Sequence, residues 1–292
     1  HRLGEIFEIA DSVTVMRNGS VVATEQVENS SSDHLIRLMV GRDVSEEYPF
    51  REKLGPGEVV LDVRGLTYDP KLPGQSFQLK KSEILGIAGL VGSGRTELIR
   101  CLYGLDSAFR GQVFVLGKKL GRISPARTVS AGLGLLTENR KEEGLMLTMS
   151  CAANLSIASM ARVSRNGLMV KKQEYDESKR IIDTLSIRTP GVWTVVGTLS
   201  GGNQQKLLVG RWLMRDVDIY LFDEPTRGID VGAKLEIYNL MWDMVERGKS
   251  VVMISSDLPE LIGICHRILV FPHRKIVASI PREDLDQKTI LE

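Results

Sequence analysis

The stretch Gly89-Leu90-Val91-Gly92-Ser93-Gly94-Arg95-Thr96 constrains what this chain can fold into more than any other feature. It follows the apolar run Ile84 to Ala88 and precedes Glu97, Leu98, Ile99 and Leu102, whose spacing predicts a helix. A strand, a glycine-rich turn and a helix in that order cradle a phosphate. Glycines let the backbone turn its N–H groups inward, the helix start adds partial positive charge, and a hydroxyl in the last place can hold Mg²⁺. Gly89, Gly92, Ser93 and Gly94 would form the cradle, and Thr96 would supply the hydroxyl. Such loops usually carry a lysine, a compact point charge that reaches the β- and γ-phosphates. This one has Arg95, whose planar fork differs in reach and geometry. The expectation is nucleotide binding with Mg²⁺ and impaired hydrolysis.

A second apolar run, Ile219-Tyr220-Leu221-Phe222, delivers Asp223-Glu224 at its C-terminal end. Ligands of open α/β sheets gather at that end of the strands. Asp223 is expected to join Thr96 in holding Mg²⁺, and Glu224 to polarise an attacking water as general base. Adjacent carboxylates in isolation mean only an exposed strand end; the phosphate loop gives these two a purpose. Ile84 to Ala88, Ile219 to Phe222 and Val251 to Ile254 read as buried parallel strands, each ending at a chemical motif. Alternation in Val59-Leu61-Val63, Phe77-Leu79 and Val113-Val115 suggests further short strands. Between Thr148 and Thr198 the pattern turns helical, with Tyr175, Ile181, Ile182 and Leu185 on one face and Lys171, Lys172, Glu177 and Lys179 on the wet side.

Composition narrows the functional classes. A net charge of +1 on 292 residues leaves no basic field for a nucleic-acid backbone, so nucleic acid is not an expected partner. Cys101, Cys151 and Cys265 are isolated, without the spacing of a zinc site or a disulfide framework. The longest apolar runs fall far short of the ~20 residues that cross a bilayer, so any membrane system would be served from the side.

Residues 1–24 lie over 256–279 without a gap, pairing Leu3 with Leu258, Glu5 with Glu260, Ile9 with Ile264, Val15 with Val270, and Val22-Ala23 with Val277-Ala278. Two copies of one unit a domain length apart imply tandem domains, the first represented here by its tail. The chain thus divides into a remnant at 1–44, a linker at 45–57 marked by Glu46-Glu47, Pro49 and Gly55-Pro56-Gly57, and a second domain at 58–292.

Leu199-Ser200-Gly201-Gly202-Asn203-Gln204-Gln205-Lys206 precedes a helical run that ends near Met214. With the Gly89 loop and Asp223-Glu224-Pro225-Thr226, it resembles the signature motif of ABC transporter ATPases. The resemblance implies an α/β fold of the P-loop NTPase (RecA-like) type, with an antiparallel β subdomain and a helical signature subdomain at about 145–215. It also implies that Ser200, Gly201 and Gly202 form a helix-start anion site facing the γ-phosphate held by the opposite domain. Gly228-Ile229-Asp230 resembles the loop that couples the two sites. Asn203 to Lys206, Pro225 to Lys234, and Glu138-Asn139-Arg140-Lys141 with Gly144-Leu145 look like the duplicated ATPases of monosaccharide importers, the ribose, galactose and xylose systems. Asn139 stands where that family usually has an acidic residue.

What the resemblance implies is an ATPase on the cytoplasmic face of a bacterial-type membrane. Its partners would be the missing first nucleotide-binding domain, membrane permease subunits and, indirectly, an extracytoplasmic sugar-binding protein. His1 matches the switch histidine of the first domain, and its counterpart in the second copy is Ser256. The second domain also lacks the loop lysine and a glutamine in the segment Thr137 to Lys141, where Glu138 is the nearest substitute. Its own site is therefore expected to be slow, and this chain alone weak or inactive. Hydrolysis would fall to the complementary site, built from the first domain's loop, His1 and this chain's Ser200-Gly201-Gly202. Three other readings share the motifs: a nucleoside importer ATPase of the same duplicated plan, a soluble ABC ATPase acting on nucleic acid or ribosomes, and a regulatory nucleotide-binding module. Tyr68 has two readings, stacking on adenine or core packing.

Overall fold

The computed structural model describes residues 3–17, 20–31, 34, 35, 38, 48, 50, 51, 57–108 and 110–291. The N-terminal unit runs α1 (Leu3–Ile9), β1 (Ser12–Arg17), β2 (Ser20–Gln26) and a 3-10 turn at Val27–Asn29. β3 (Val59–Thr67) and β4 (Gln75–Lys80) lead to β5 (Ile84–Ala88), α2 (Arg95–Tyr103), β6 (Arg110–Val115) and β7 (Lys118–Lys119). After α3 (Pro125–Ser130) and β8 (Leu133–Leu136) comes a helical region. It holds α4 (Cys151–Ser156), a small hairpin of β9 (Ser164–Arg165) and β10 (Leu168–Met169), α5 (Lys171–Thr184) and α6 (Gly201–Arg215). The chain closes with β11 (Ile219–Asp223), α7 (Val231–Glu246), β12 (Ser250–Ile254), α8 (Leu258–Ile264), β13 (Arg267–Val270), β14 (Ala278–Pro281) and α9 (Gln287–Leu291).

Two sheets organise these elements. The larger has the order β14-β13-β5-β12-β11-β8, all neighbours parallel except the edge pair β13 and β14. Its strands β5, β8, β11 and β12 are buried at every position, as the unbroken apolar runs require when both faces are covered. The smaller sheet, β4-β3-β6-β7, is antiparallel, and β4 alternates with Gln75, Phe77 and Leu79 inward and Ser76, Gln78 and Lys80 outward. This is the α/β architecture of P-loop NTPases, with an antiparallel β layer and a helical region attached. Among the described residues no helix is long and apolar enough to cross a membrane.

The buried face of α5 differs from the expected one. Ile181, Ile182 and Leu185 are buried, but Tyr175 is exposed, and Glu174 and Ser178 take the inward positions. Positions 174, 178, 181 and 185 follow one helical stripe, whereas 175 lies about 100° away from 174. A polar pair facing inward escapes a hydrophobicity reading. Glu174 is satisfied there by the Ser156 hydroxyl at 2.9 Å.

The polar reading of 45–57 passed over two anchors, one aromatic and one basic. Phe50 packs edge-on to Trp242 at 5.2 Å and beneath the Arg282 guanidinium at 4.0 Å. Arg51 donates to Asp243 and to Asn239, each at 2.9 Å. Phe50→Ala is expected to destabilise the domain by about 1–3 kcal/mol, through lost aromatic and cation–π contacts. Denaturant unfolding measures this, and a change within 0.5 kcal/mol, about the noise level of a neutral surface substitution, would show that the segment does not anchor to α7.

The two copies seen in the sequence adopt one element order. α1 and α8 match end to end, β1 and β13 start at aligned positions, and the turn at Val27–Asn29 falls on the 3-10 turn Arg282–Asp284. β13 pairs in parallel with β5 and antiparallel with β14. Among the described residues β1 pairs only with β2.

Candidate nucleotide site

Sheet register assembles the site. Ile254 lies beside both Ile87 and Asp223, so the loops leaving β5, β12 and β11 emerge side by side at the C-terminal edge. The Gly89 loop, Ser255-Ser256 and Asp223-Glu224 are neighbours for that reason.

The loop needs its glycines for two separate causes. Gly92 and Gly94 adopt φ of 80° and 95°, which glycine enters without a side-chain clash. A methyl group on Gly89 would come within 2.3 Å of the Phe271 carbonyl oxygen, so close approach of two backbones fixes that position. The Ser93 hydroxyl is buried and has no hydrogen-bond partner.

Asp223 is buried beneath the loop, hydrogen-bonded to the Thr96 hydroxyl, with its Oδ1 unpartnered. Burial pushes its carboxyl up to about 6, against the Thr96 hydrogen bond that lowers it. Buried polar atoms are rarely left unpaired. An orphaned carboxylate oxygen beside a threonine hydroxyl at a phosphate loop is an oxygen donor set of the kind a hydrated Mg²⁺ takes.

The shifted carboxyl carries a signed expectation. Asp223 binds its proton up to about pH 6 when folded, against 3.8 for the ordinary group. Between those values the folded chain holds more protons than the unfolded one, so ligand-free stability falls as pH rises through the window. Asp223→Asn is therefore expected to stabilise the ligand-free protein at pH 7.5 by about 1–3 kcal/mol and to abolish any Mg²⁺ enhancement of nucleotide binding. Thermal unfolding from pH 4 to 8 checks it; a variant no more stable than wild type at pH 7.5 contradicts it.

Arg95 does not project freely from the loop. It is 6% exposed; its Nη1 donates to the Ser255 carbonyl at 2.6 Å, and its Nη2 lies 3.8 Å from Glu224 Oε1. Burial lowers the pKa of this guanidinium, opposed by the charges of Glu224 and Asp223. Glu224 adopts φ of 50° and accepts from the Ser256 hydroxyl at 3.2 Å. Burial raises its carboxyl pKa as well.

Ser200, Gly201 and Gly202 open α6, with the Ser200 hydroxyl accepting from Asn203 Nδ2 at 2.8 Å. Both glycines permit close packing: a methyl group would meet Arg140 Nη2 at 2.7 Å from Gly201, and Ala233 Cβ at 2.7 Å from Gly202. Asp230 caps α7, accepting from the Ala233 N–H at 3.0 Å. Among the described residues no hydrogen bond or ion pair joins this group to the Gly89 loop. Glu138 forms an ion pair with Arg227, and Arg140 donates to the carbonyls of Arg227 and Gly228, so the segment after β8 is tied to the loop before Asp230. His1 lies outside the described residues. Tyr68 packs against the core with its hydroxyl at Gly94, buried and without a partner.

Sequence reasoning missed Glu260. It is fully buried, and its carboxylate accepts from the Thr226 hydroxyl at 2.6 Å and from the Ser255 hydroxyl. One side chain thus ties the loop after Glu224 to the loop after β12. Its alignment with Glu5 was the signal that could have singled it out.

Comparison with known proteins agrees with this geometry. The chain is 42% identical to a xylose import ATP-binding protein of Thermoanaerobacter pseudethanolicus, over all of this chain and 59% of that one. It is 45% identical to a ribose import ATP-binding protein of Rubrobacter xylanophilus, over all of this chain and 58% of that one. The chain thus spans less than two thirds of the length of these curated relatives. Among solved structures, a nucleotide-free ATP-binding cassette from an ABC transporter superposes with a TM-score of 0.67 at 22% identity, covering 80% of this chain and 95% of that one. The family model described as ABC transporter matches residues 72–227, from the connection before β4 through the phosphate loop to the acidic pair. On that match, and with the phosphate loop and the acidic pair brought to one sheet edge, the chain belongs to the ABC transporter family.

Proposed function

We propose that this chain is part of an ATP-binding subunit that energises monosaccharide import, in which residues 58–292 form a second nucleotide-binding domain and residues 1–44 the tail of a first. The observation that carries the reading is the convergence of the Gly89 loop, Asp223 and Glu224 in a chain whose relatives are named for xylose and ribose import. Repetition of the α1, β1, β2 unit supports the tandem arrangement. The subunit would work at the cytoplasmic face of a membrane with permease subunits and, through them, an extracytoplasmic sugar-binding protein.

Gly89, Gly92, Ser93, Gly94 and Thr96 hold the phosphates of ATP, and Asp223 with Thr96 holds Mg²⁺. The bound cation would supply charge neutralisation of the phosphates. Glu224 is the base for water in this domain's own site, yet Arg95 sits against it and is anchored to Ser255. Arg95 thus stands in the lysine's place but is turned from the phosphates toward the base and the Ser255 carbonyl, so this site holds ATP and turns it over slowly. Ser200, Gly201 and Gly202 complete the partner domain's site, and Asp230 lies in the loop between the two. His1 serves that partner site, supported by the aligned Ser256, whose hydroxyl contacts Glu224.

The test is Mg-ATP binding and turnover by this chain alone and after addition of the first domain as a separate protein. Binding by the chain, with turnover only in the mixture, is the expected result. Robust turnover by the chain alone would overturn the unequal-site reading and make Arg95 a working catalytic residue.

A further inference from the structure

The hairpin between β13 and β14 carries an arginine where its repeat carries glycine. In the alignment that pairs Val15 with Val270, Arg274 falls on Gly19. Arg274 adopts φ of 55°, a left-handed conformation that glycine enters freely and a residue with a Cβ enters at a cost. Its backbone is held from both sides. The N–H donates to the Ser93 carbonyl at 2.9 Å, and the carbonyl accepts from Gln75 Nε2 at 3.1 Å. The arginine is therefore fixed to the phosphate loop itself.

Its side chain lies over that loop. A methyl group on Gly94 would stand 3.0 Å from Arg274 Cγ and 2.7 Å from the Tyr68 hydroxyl, so the two side chains together cover Gly94. Arg274 is exposed, and among the described residues no ion pair engages its guanidinium. The Tyr68 hydroxyl beside it is buried and unpartnered. Glu97 and Asp69 share this neighbourhood of Tyr68, and Arg274 is the cation that offsets them. Meanwhile Arg95, in the lysine's place, is committed to Ser255 and Glu224.

We propose that Arg274 is a nucleotide-binding residue, reaching from the β13–β14 hairpin to the phosphate chain of a nucleoside di- or triphosphate held on the Gly89 loop. It returns positive charge to a loop whose own cation is turned away. The proposal rests on the reading of that loop as a nucleotide site. A free guanidinium forms charge-assisted hydrogen bonds to phosphate oxygens, and the backbone strain at Arg274 persists because the Ser93 and Gln75 contacts impose the turn.

The experiment measures MgADP and adenosine binding to the full chain by titration calorimetry, with R274G, R274N and R274K beside wild type. Glycine and asparagine tolerate the left-handed turn, so both variants should melt at or above the wild-type temperature. Both should bind MgADP about 10-fold more weakly, with adenosine binding unchanged and a shallower salt dependence. R274K should keep most of the affinity. Wild-type affinity for MgADP in R274G and R274N would overturn the proposal and leave Arg274 a turn residue. Equal losses for adenosine and MgADP would also overturn it, since the phosphates would then not be what Arg274 contacts. A wild-type chain that binds neither probe would overturn the nucleotide reading, and the proposal with it.

Discussion

In the tandem protein proposed above, Ser200→Arg is expected to lower ATP turnover by about 10²–10³-fold, the loss that follows removal of one preorganised transition-state donor, while nucleotide binding at the Gly89 loop stays intact. Ser200 is exposed at the start of α6, so the substitution creates no core clash. Among the described residues its hydroxyl accepts only from Asn203, and loss of such a local bond costs roughly 0.5–1.5 kcal/mol. Folding should survive. An arginine here fills the space at the helix start where the reading places the partner domain's γ-phosphate. Steady-state turnover and equilibrium nucleotide binding, measured together, separate the outcomes. Turnover close to wild type would remove Ser200 from any shared site, whereas loss of binding would point to misfolding.

Glu260→Ala is expected to destabilise the domain by about 2–4 kcal/mol, because it strands the Thr226 and Ser255 hydroxyls in a dry pocket and leaves a void. The position is 0% exposed, which denies the stranded groups ready access to solvent. Burial raises the Glu260 carboxyl pKa, opposed by the bonds from Ser255 and Thr226. Glu260→Gln keeps the shape and one carbonyl acceptor, so it should fall between alanine and wild type. The loss should reach function as well as stability. Ser255 receives Arg95, and Thr226 follows directly on Glu224 and Pro225, so loosening Glu260 frees both walls of the site. Denaturant unfolding with nucleotide titration measures both effects. An alanine variant within 0.5 kcal/mol of wild type, no larger than a neutral surface change, would mean that water replaces the carboxylate.

Much of the chemistry could be read in the chain because it rests on local spacing. The phosphate loop and Asp223-Glu224 each follow one buried apolar strand, and such strands carry their motif at a fixed end. The repeat was equally plain, and its two copies fold into the same elements in the same order. Misread features were those in which polarity and burial part company. Glu174 and Ser178 face inward on α5, where the Ser156 hydroxyl satisfies Glu174, while Tyr175 stays out. Phe50 is one aromatic in a charged stretch, and nothing local shows that Trp242 and Arg282 lie opposite.

By itself the sequence determined the parallel strands, the phosphate loop and the acidic pair, each encoded in a short run of consecutive residues, and the family through their combination with the Ser200 motif. Only the tertiary structure decided where the cations and carboxylates point. Arg95 turns to Ser255 and Glu224, Glu260 joins Thr226 to Ser255, and Arg274 is laid over Gly94. The partners in these contacts come from distant parts of the chain or from separate loops. Sheet register and hairpin geometry bring them together, and spacing along the chain carries no record of either.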